Sequence, residues 1–85
     1  MTDHDTLTAF SRILRGLLDD ESIVLTAETT RADVPGWDSF AYVSFIAAVE
    51  QQFQVKFKVA EIESFRTVGE IVAATGRGGR GVGRS

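Results

Sequence analysis

No cysteine occurs in this chain, which excludes disulfides and thiolate metal sites. That absence fits a reducing compartment. The single histidine, His4, sits in the acidic opening stretch MTDHDTLTAF. A histidine-based catalytic triad and a histidine-ligated metal centre are therefore not expected. No apolar run approaches the roughly 20 residues that span a bilayer. The N-terminus is acidic where a signal peptide is basic and then apolar. The expectation is a cytoplasmic protein without membrane insertion. Basic residues are scarce in the body of the chain: all 12 acidic residues lie within residues 1–75, while Arg77, Arg80 and Arg84 lie beyond them. An acidic globule lacks the basic face that nucleic acid requires. It suits basic surfaces on partner proteins. With 85 residues there is room for one small domain, expected to be a monomer.

What is present is helical periodicity. Leu7, Phe10, Ile13, Leu14, Leu17 and Leu18 form one apolar stripe, predicting a helix over about residues 4–18. Residues 19–38 show no sustained period, and a loop of that length in a small domain is normally functional. Ile23, Val24 and Leu25 are its expected inward anchors, with Trp37 at its end. From Asp38 or Ser39 a second helix is predicted, with Phe40, Val43, Ile46, Ala47, Val49 and Phe53 as its core face. VKFK, Val55–Lys58, alternates but has no strand to pair with, so an extended connector with Val55 and Phe57 inward is expected. AEIESF, Ala60–Phe65, suits one or two helical turns. Thr67 and Glu70 have capping-box spacing before the last apolar face, Val68, Ile71 and Val72, with Gly76 as a stop. GRGGRGVGRS holds five glycines in ten residues and buries little, so residues 76–85 are expected as a disordered, solvated tail. The fold class is all-α: a small bundle of three longer helices and one short one over residues 1–75.

The dipeptide Asp38-Ser39 has two readings. Both residue types cap helices, because a side-chain oxygen accepts from a first-turn N–H. In one reading Ser39 is only that cap, and the chain is a non-catalytic helical interaction domain. In the other, Asp38 caps and Ser39 is the first helical residue. Its hydroxyl then projects from a helix tip that favours phosphate. A nucleophilic serine enzyme needs a general base and an oxyanion site, and neither is present. In that second reading Ser39 suits a substrate better than a catalyst, and in either reading the chain is not expected to be an enzyme.

The ordered constellation Asp38, Ser39, Phe40, Val43, Ile46, Val49, Glu50 and Phe53, then Phe57, Glu61–Phe65, Thr67, Val68, Glu70, Ile71 and Val72, resembles the acyl carrier protein family and its relatives in peptide and polyketide synthesis. With the first helix, the resemblance covers about residues 3–75. It implies that Ser39 bears 4'-phosphopantetheine, transferred from coenzyme A by a phosphopantetheinyl transferase. The arm's thiol would hold an acyl or aminoacyl group as a thioester, as in fatty acid biosynthesis and lipid metabolism, for acyl-loading and acyl-using enzymes. Asp38 would cap the helix and help the transferase recognise the site. Partner docking would fall on Phe40, Ala41, Ser44, Glu50, Glu61 and Glu63.

The chain departs from the family pattern on its second helix. General fatty-acid carriers show acids where this sequence has Ala41, Ser44 and Gln52. A neutral, aromatic-rich helix weakens electrostatic steering and leaves more of recognition to apolar contact. A specialised carrier with dedicated partners is therefore expected. Phe40, Phe45, Phe53 and Trp37 either flank a cleft for the acyl chain or fill it.

Overall fold

The structure, a computed structural model, describes residues 3–84, with side chains through Gly76. Its elements are α1 (Asp3–Leu18), a 3-10 turn (Arg31–Asp33), α2 (Ser39–Phe53), α3 (Val59–Ser64) and α4 (Val68–Arg84). Three longer helices and one short one match the all-α expectation, and no strand occurs among the described residues. No helix among them is long and apolar enough to cross a membrane.

The amphipathic stripe of α1 buries Phe10 and Leu14 completely. Asp3 and Asp5 in its first turn and Arg15 in its last both complement the helix dipole. Asp19 then takes a left-handed conformation, φ 53°, and the Asp20 N–H returns to the Arg15 carbonyl at 3.1 Å. That closure turns the chain into the long loop.

Side chains of α1 tie the loop down. Buried Ser11 accepts from the Leu25 N–H at 3.0 Å, and Arg15 Nε donates to the Ile23 carbonyl at 2.6 Å. Ile23 and Leu25 point inward as expected, but Val24 is 68% exposed. Burial alternates along this segment, Ile23 and Leu25 in, Val24 and Thr26 out, as for side chains that take turns on opposite sides of a chain.

The second helix packs on α1 through edge-to-face rings, Phe45 on Phe10 at 5.4 Å and Phe53 on Phe10 at 5.5 Å. Burying a side chain of this size is worth about 1.5–3 kcal/mol. The buried face of α2 is Ala41, Tyr42, Phe45, Ile46 and Val49. The expected core positions Phe40, Val43 and Ala47 are instead exposed. α2 is apolar nearly all round, so its pattern alone does not select a face.

Val55 and Phe57 turn inward on an extended connector, as expected. Phe57 meets Phe65 edge-to-face at 5.5 Å. The capping box before α4 is half formed. Thr67 Oγ1 accepts from the Glu70 N–H at 3.3 Å, but the Glu70 carboxylate takes the Arg66 N–H instead, at 2.7 Å. The loop supplies the rest of the cap: the Val68 and Gly69 N–H groups donate to the Thr29 and Ala27 carbonyls, each at 2.9 Å. Gly76 lies within α4 rather than ending it. A helical glycine costs only about 1 kcal/mol against alanine, which does not by itself stop a helix. The expected tail falls mainly on residues 77–85, outside those described with side chains.

Two glycines give predictions of opposite sign. A Cβ on Gly69 would lie 2.8 Å from the Ala27 carbonyl oxygen, whereas one on Gly16 would meet nothing within 4 Å. Urea unfolding should show Gly69→Ala losing about 1–3 kcal/mol by overpacking, and Gly16→Ala gaining about 0.5–1 kcal/mol.

Candidate functional site

A tight turn sets up the tip of α2. The Trp37 N–H donates to the Val34 carbonyl at 3.2 Å, and Gly36 sits at φ 88°. Pro35 suits the second position of a type II turn, and Gly36 supplies the positive φ that its third position requires. The turn drives Trp37 inward, where its ring meets Phe45 edge-to-face at 5.2 Å. The indole N–H is buried without an acceptor among the described residues. That costs about 1–3 kcal/mol. Burying 150–250 Å² of ring at about 25 cal/mol per Å² returns roughly 4–6 kcal/mol, so the packing wins.

Just beyond the turn, Asp38 is the N-cap, and its Oδ1 accepts from the Ala41 N–H at 2.9 Å. Ser39 is the first helical residue. It is exposed, and its hydroxyl makes no hydrogen bond among the described residues. Ser39 is therefore not the cap, which removes the basis of the reading in which capping was its only role. The Ser39 and Phe40 N–H groups also lack partners there, leaving an anion-favouring helix end.

An open groove of about 470 Å³ begins at Ser39. Ser39, Val43 and Ile46 lie along one face of α2, and Val59, Ile62 and Phe65 form the opposite wall. Tyr42 crosses between them, its Oη donating to the Ile62 carbonyl at 2.5 Å. The Arg31 guanidinium carbon lies 4.6 Å from the centre of the Tyr42 ring. Burial pushes the Tyr42 phenol above its usual range. The Arg31 charge acts in the opposite direction, and Glu70 adds a smaller upward push.

Residues 7–75 match the protein family described as "Phosphopantetheine attachment site". The chain belongs to this family. It is also similar to the holo acyl carrier protein from Geobacter metallireducens, whose structure was solved by solution NMR. The TM-score is 0.78 and the identity 34%, over 86% of this chain and 84% of that one. A search of curated proteins gives no match. The chain is thus an acyl-carrier-type domain without catalysis of its own. Its cofactor is 4'-phosphopantetheine linked to a serine, and it presents thioesters to other enzymes. The site fits that group: an unengaged hydroxyl at a helix tip adjoins a groove that can receive an arm.

The docking residues expected on this carrier separate in the structure. Phe40 is 82% exposed beside Ser39, and Glu63 is also exposed. Ser44 and Glu61 are half-buried, and Glu61 additionally accepts from the Lys58 N–H at 3.1 Å. Ala41 faces the core at 9% exposure and cannot serve as a contact. The Glu50 carboxylate is engaged by the Phe57 N–H at 2.8 Å. That bond holds the connector to α2. Sequence reasoning missed Tyr42, Arg31 and Val59 at the site. Tyr42 had a signal, one turn beyond Ser39; Arg31 had none, since nothing in its neighbourhood places it.

A pH titration checks the Tyr42 strut. A phenol with a raised folded pKa adds stability that is fully present below its unfolded value, about 10, and is lost as pH rises through the folded value. Wild-type stability should therefore fall more steeply above pH ~10 than that of Tyr42→Phe. The variant should cost about 0.5–1.5 kcal/mol at neutral pH for the lost hydrogen bond.

Proposed function

We propose that Ser39 is the attachment point of 4'-phosphopantetheine and that the tip of α2 is where partner enzymes dock. The observation that carries this reading is the division of labour at the tip. Asp38 does the capping, leaving the Ser39 hydroxyl exposed and without a hydrogen bond. A phosphopantetheinyl transferase would supply the base that the site lacks. As the Ser39 Oγ–P bond forms, the pyrophosphate bond of coenzyme A breaks, adenosine 3',5'-bisphosphate leaves, and the hydroxyl proton passes to the transferase. With no cysteine in the chain, the arm's thiol has no competitor. Asp38 contributes by fixing the helix end that the transferase reads.

Mass spectrometry of the intact protein tests this. Incubation with coenzyme A and a broad-specificity transferase should add one phosphopantetheine to the wild type and none to Ser39→Ala. An unmodified wild type, with several transferases tried, overturns it.

The docking face we infer is apolar rather than acidic. The first turn of α2 carries no acid; Phe40 in that turn and Val43 just beyond it stand 82% and 61% exposed. Ser44, Glu61 and Glu63 supply its polar margin. Contacts of this kind depend on fit more than on charge steering. The carrier is therefore read as a specialised one, served by dedicated loading and acyl-using enzymes. Phe40→Ala should keep the melting temperature and raise KM for the cognate partner about tenfold, the scale of an interface anchor. Efficient, strongly salt-dependent turnover with general fatty-acid synthase enzymes would count against specialisation.

A further inference from the structure

We propose that Arg31 is a positioning residue for the arm. In this reading it pairs with the phosphodiester on Ser39 and directs the arm across Tyr42 into the groove between α2 and α3. The inference rests on Ser39 being the attachment point. Arg31 lines that groove together with Ser39, and the two also border a second hollow with Ala32, Trp37 and Asp38. Its guanidinium lies over Tyr42, the residue one turn beyond Ser39. Positions three apart on a helix have Cβ atoms about 5–6 Å apart, so a phosphate on the Ser39 Oγ falls within the reach of an arginine.

The charge on Arg31 is otherwise unanswered. No carboxylate among the described residues pairs with it. The nearby acids are engaged elsewhere: Asp33 Oδ2 accepts from the Thr30 N–H at 2.9 Å, Asp38 Oδ1 from Ala41, and Glu70 Oε1, whose charge also acts on Tyr42, from the Arg66 N–H at 2.7 Å. Glu63 borders the same groove but makes no ion pair among the described residues. A phosphodiester is a permanent anion at neutral pH, and arginine binds such oxygens through paired N–H donors. Of the charges that loading brings, it is the one nearest to Ser39, whereas a charge on the cargo would lie at the far end of the arm. The stack on Tyr42 keeps the guanidinium plane near the ring without occupying all its N–H groups.

The test compares apo and holo forms of wild type, Arg31→Gln and Arg31→Lys, each checked for loading by intact mass. On loading, the Arg31 Nε–H resonance of the wild type should move and its exchange with water should slow severalfold. The phosphorus NMR line should be broader in the wild type than in Arg31→Gln, with Arg31→Lys between them. Salt at about 1 M, where screening acts within roughly 3 Å, should shrink the difference. Loading should also raise the melting temperature about 2–4 °C more in the wild type than in Arg31→Gln, the scale of one exposed ion pair in a domain this small. If Arg31 only stacks on Tyr42, Arg31→Gln lowers stability equally in both forms, the phosphorus line is unchanged and the Nε–H does not respond. That outcome overturns the proposal while leaving attachment at Ser39 intact. A wild type that gains no mass overturns the attachment reading, and this inference with it. The Nε–H measurement needs only the wild type, so it decides the matter even if a variant loads poorly.

Discussion

The contact between Phe10 and Phe45 sets the roll of α2, and the site follows from that roll. Phe45 is fully buried against α1. Successive helical residues are separated by about 100°, so fixing one position fixes all the others. With Phe45 inward, Ser39, Val43 and Ile46 line the open groove, Tyr42 reaches α3, and Phe40 faces solvent. A different roll would bury the serine or move it away from the groove. The hydroxyl's accessibility is thus a consequence of core packing a turn and a half away.

The long loop is the second element of this arrangement. Its length suggests slack, yet it is held at both ends and in the middle. Ser11 and Arg15 fix Leu25 and Ile23. The carbonyls of Ala27 and Thr29 satisfy the first N–H groups of α4. Loop and helix therefore solve each other's problem, since the helix start needs acceptors and the loop needs partners for its carbonyls. The 3-10 turn and the Pro35-Gly36 turn then deliver Trp37 to the core and Asp38 to the helix end.

Most of the backbone plan was legible in the sequence because its signals are local. The α1 stripe, the Asp-Ser helix start, and the inward Val55 and Phe57 each depend on neighbours within a few residues. What was not legible depended on distance or on symmetry. The outward turn of Val24 required knowing how the loop lies on α1, with Ile23 and Leu25 turned in. The roll of α2 was hidden because apolar residues surround that helix, so Phe40 and Val43 looked as suitable for the core as Ala41 and Tyr42. Glu50 looked like a surface acid until the connector folded back onto it. The Tyr42–Ile62 bond joins residues 20 apart, and Arg31 reaches Tyr42 from a different element. The fold was therefore clearer in advance than the walls of its groove.

Trp37 carries one more consequence. It is the chain's single tryptophan, it is 5% exposed, and it stands two residues before Ser39 with its ring against Phe45. In spectroscopic terms the protein holds one unambiguous fluorophore at the root of its working helix. Its emission maximum and quantum yield report on the joint that presents the serine, with no label attached and no second indole to confuse the signal. A small shift in the roll of α2 would register as a colour change before the domain unfolds.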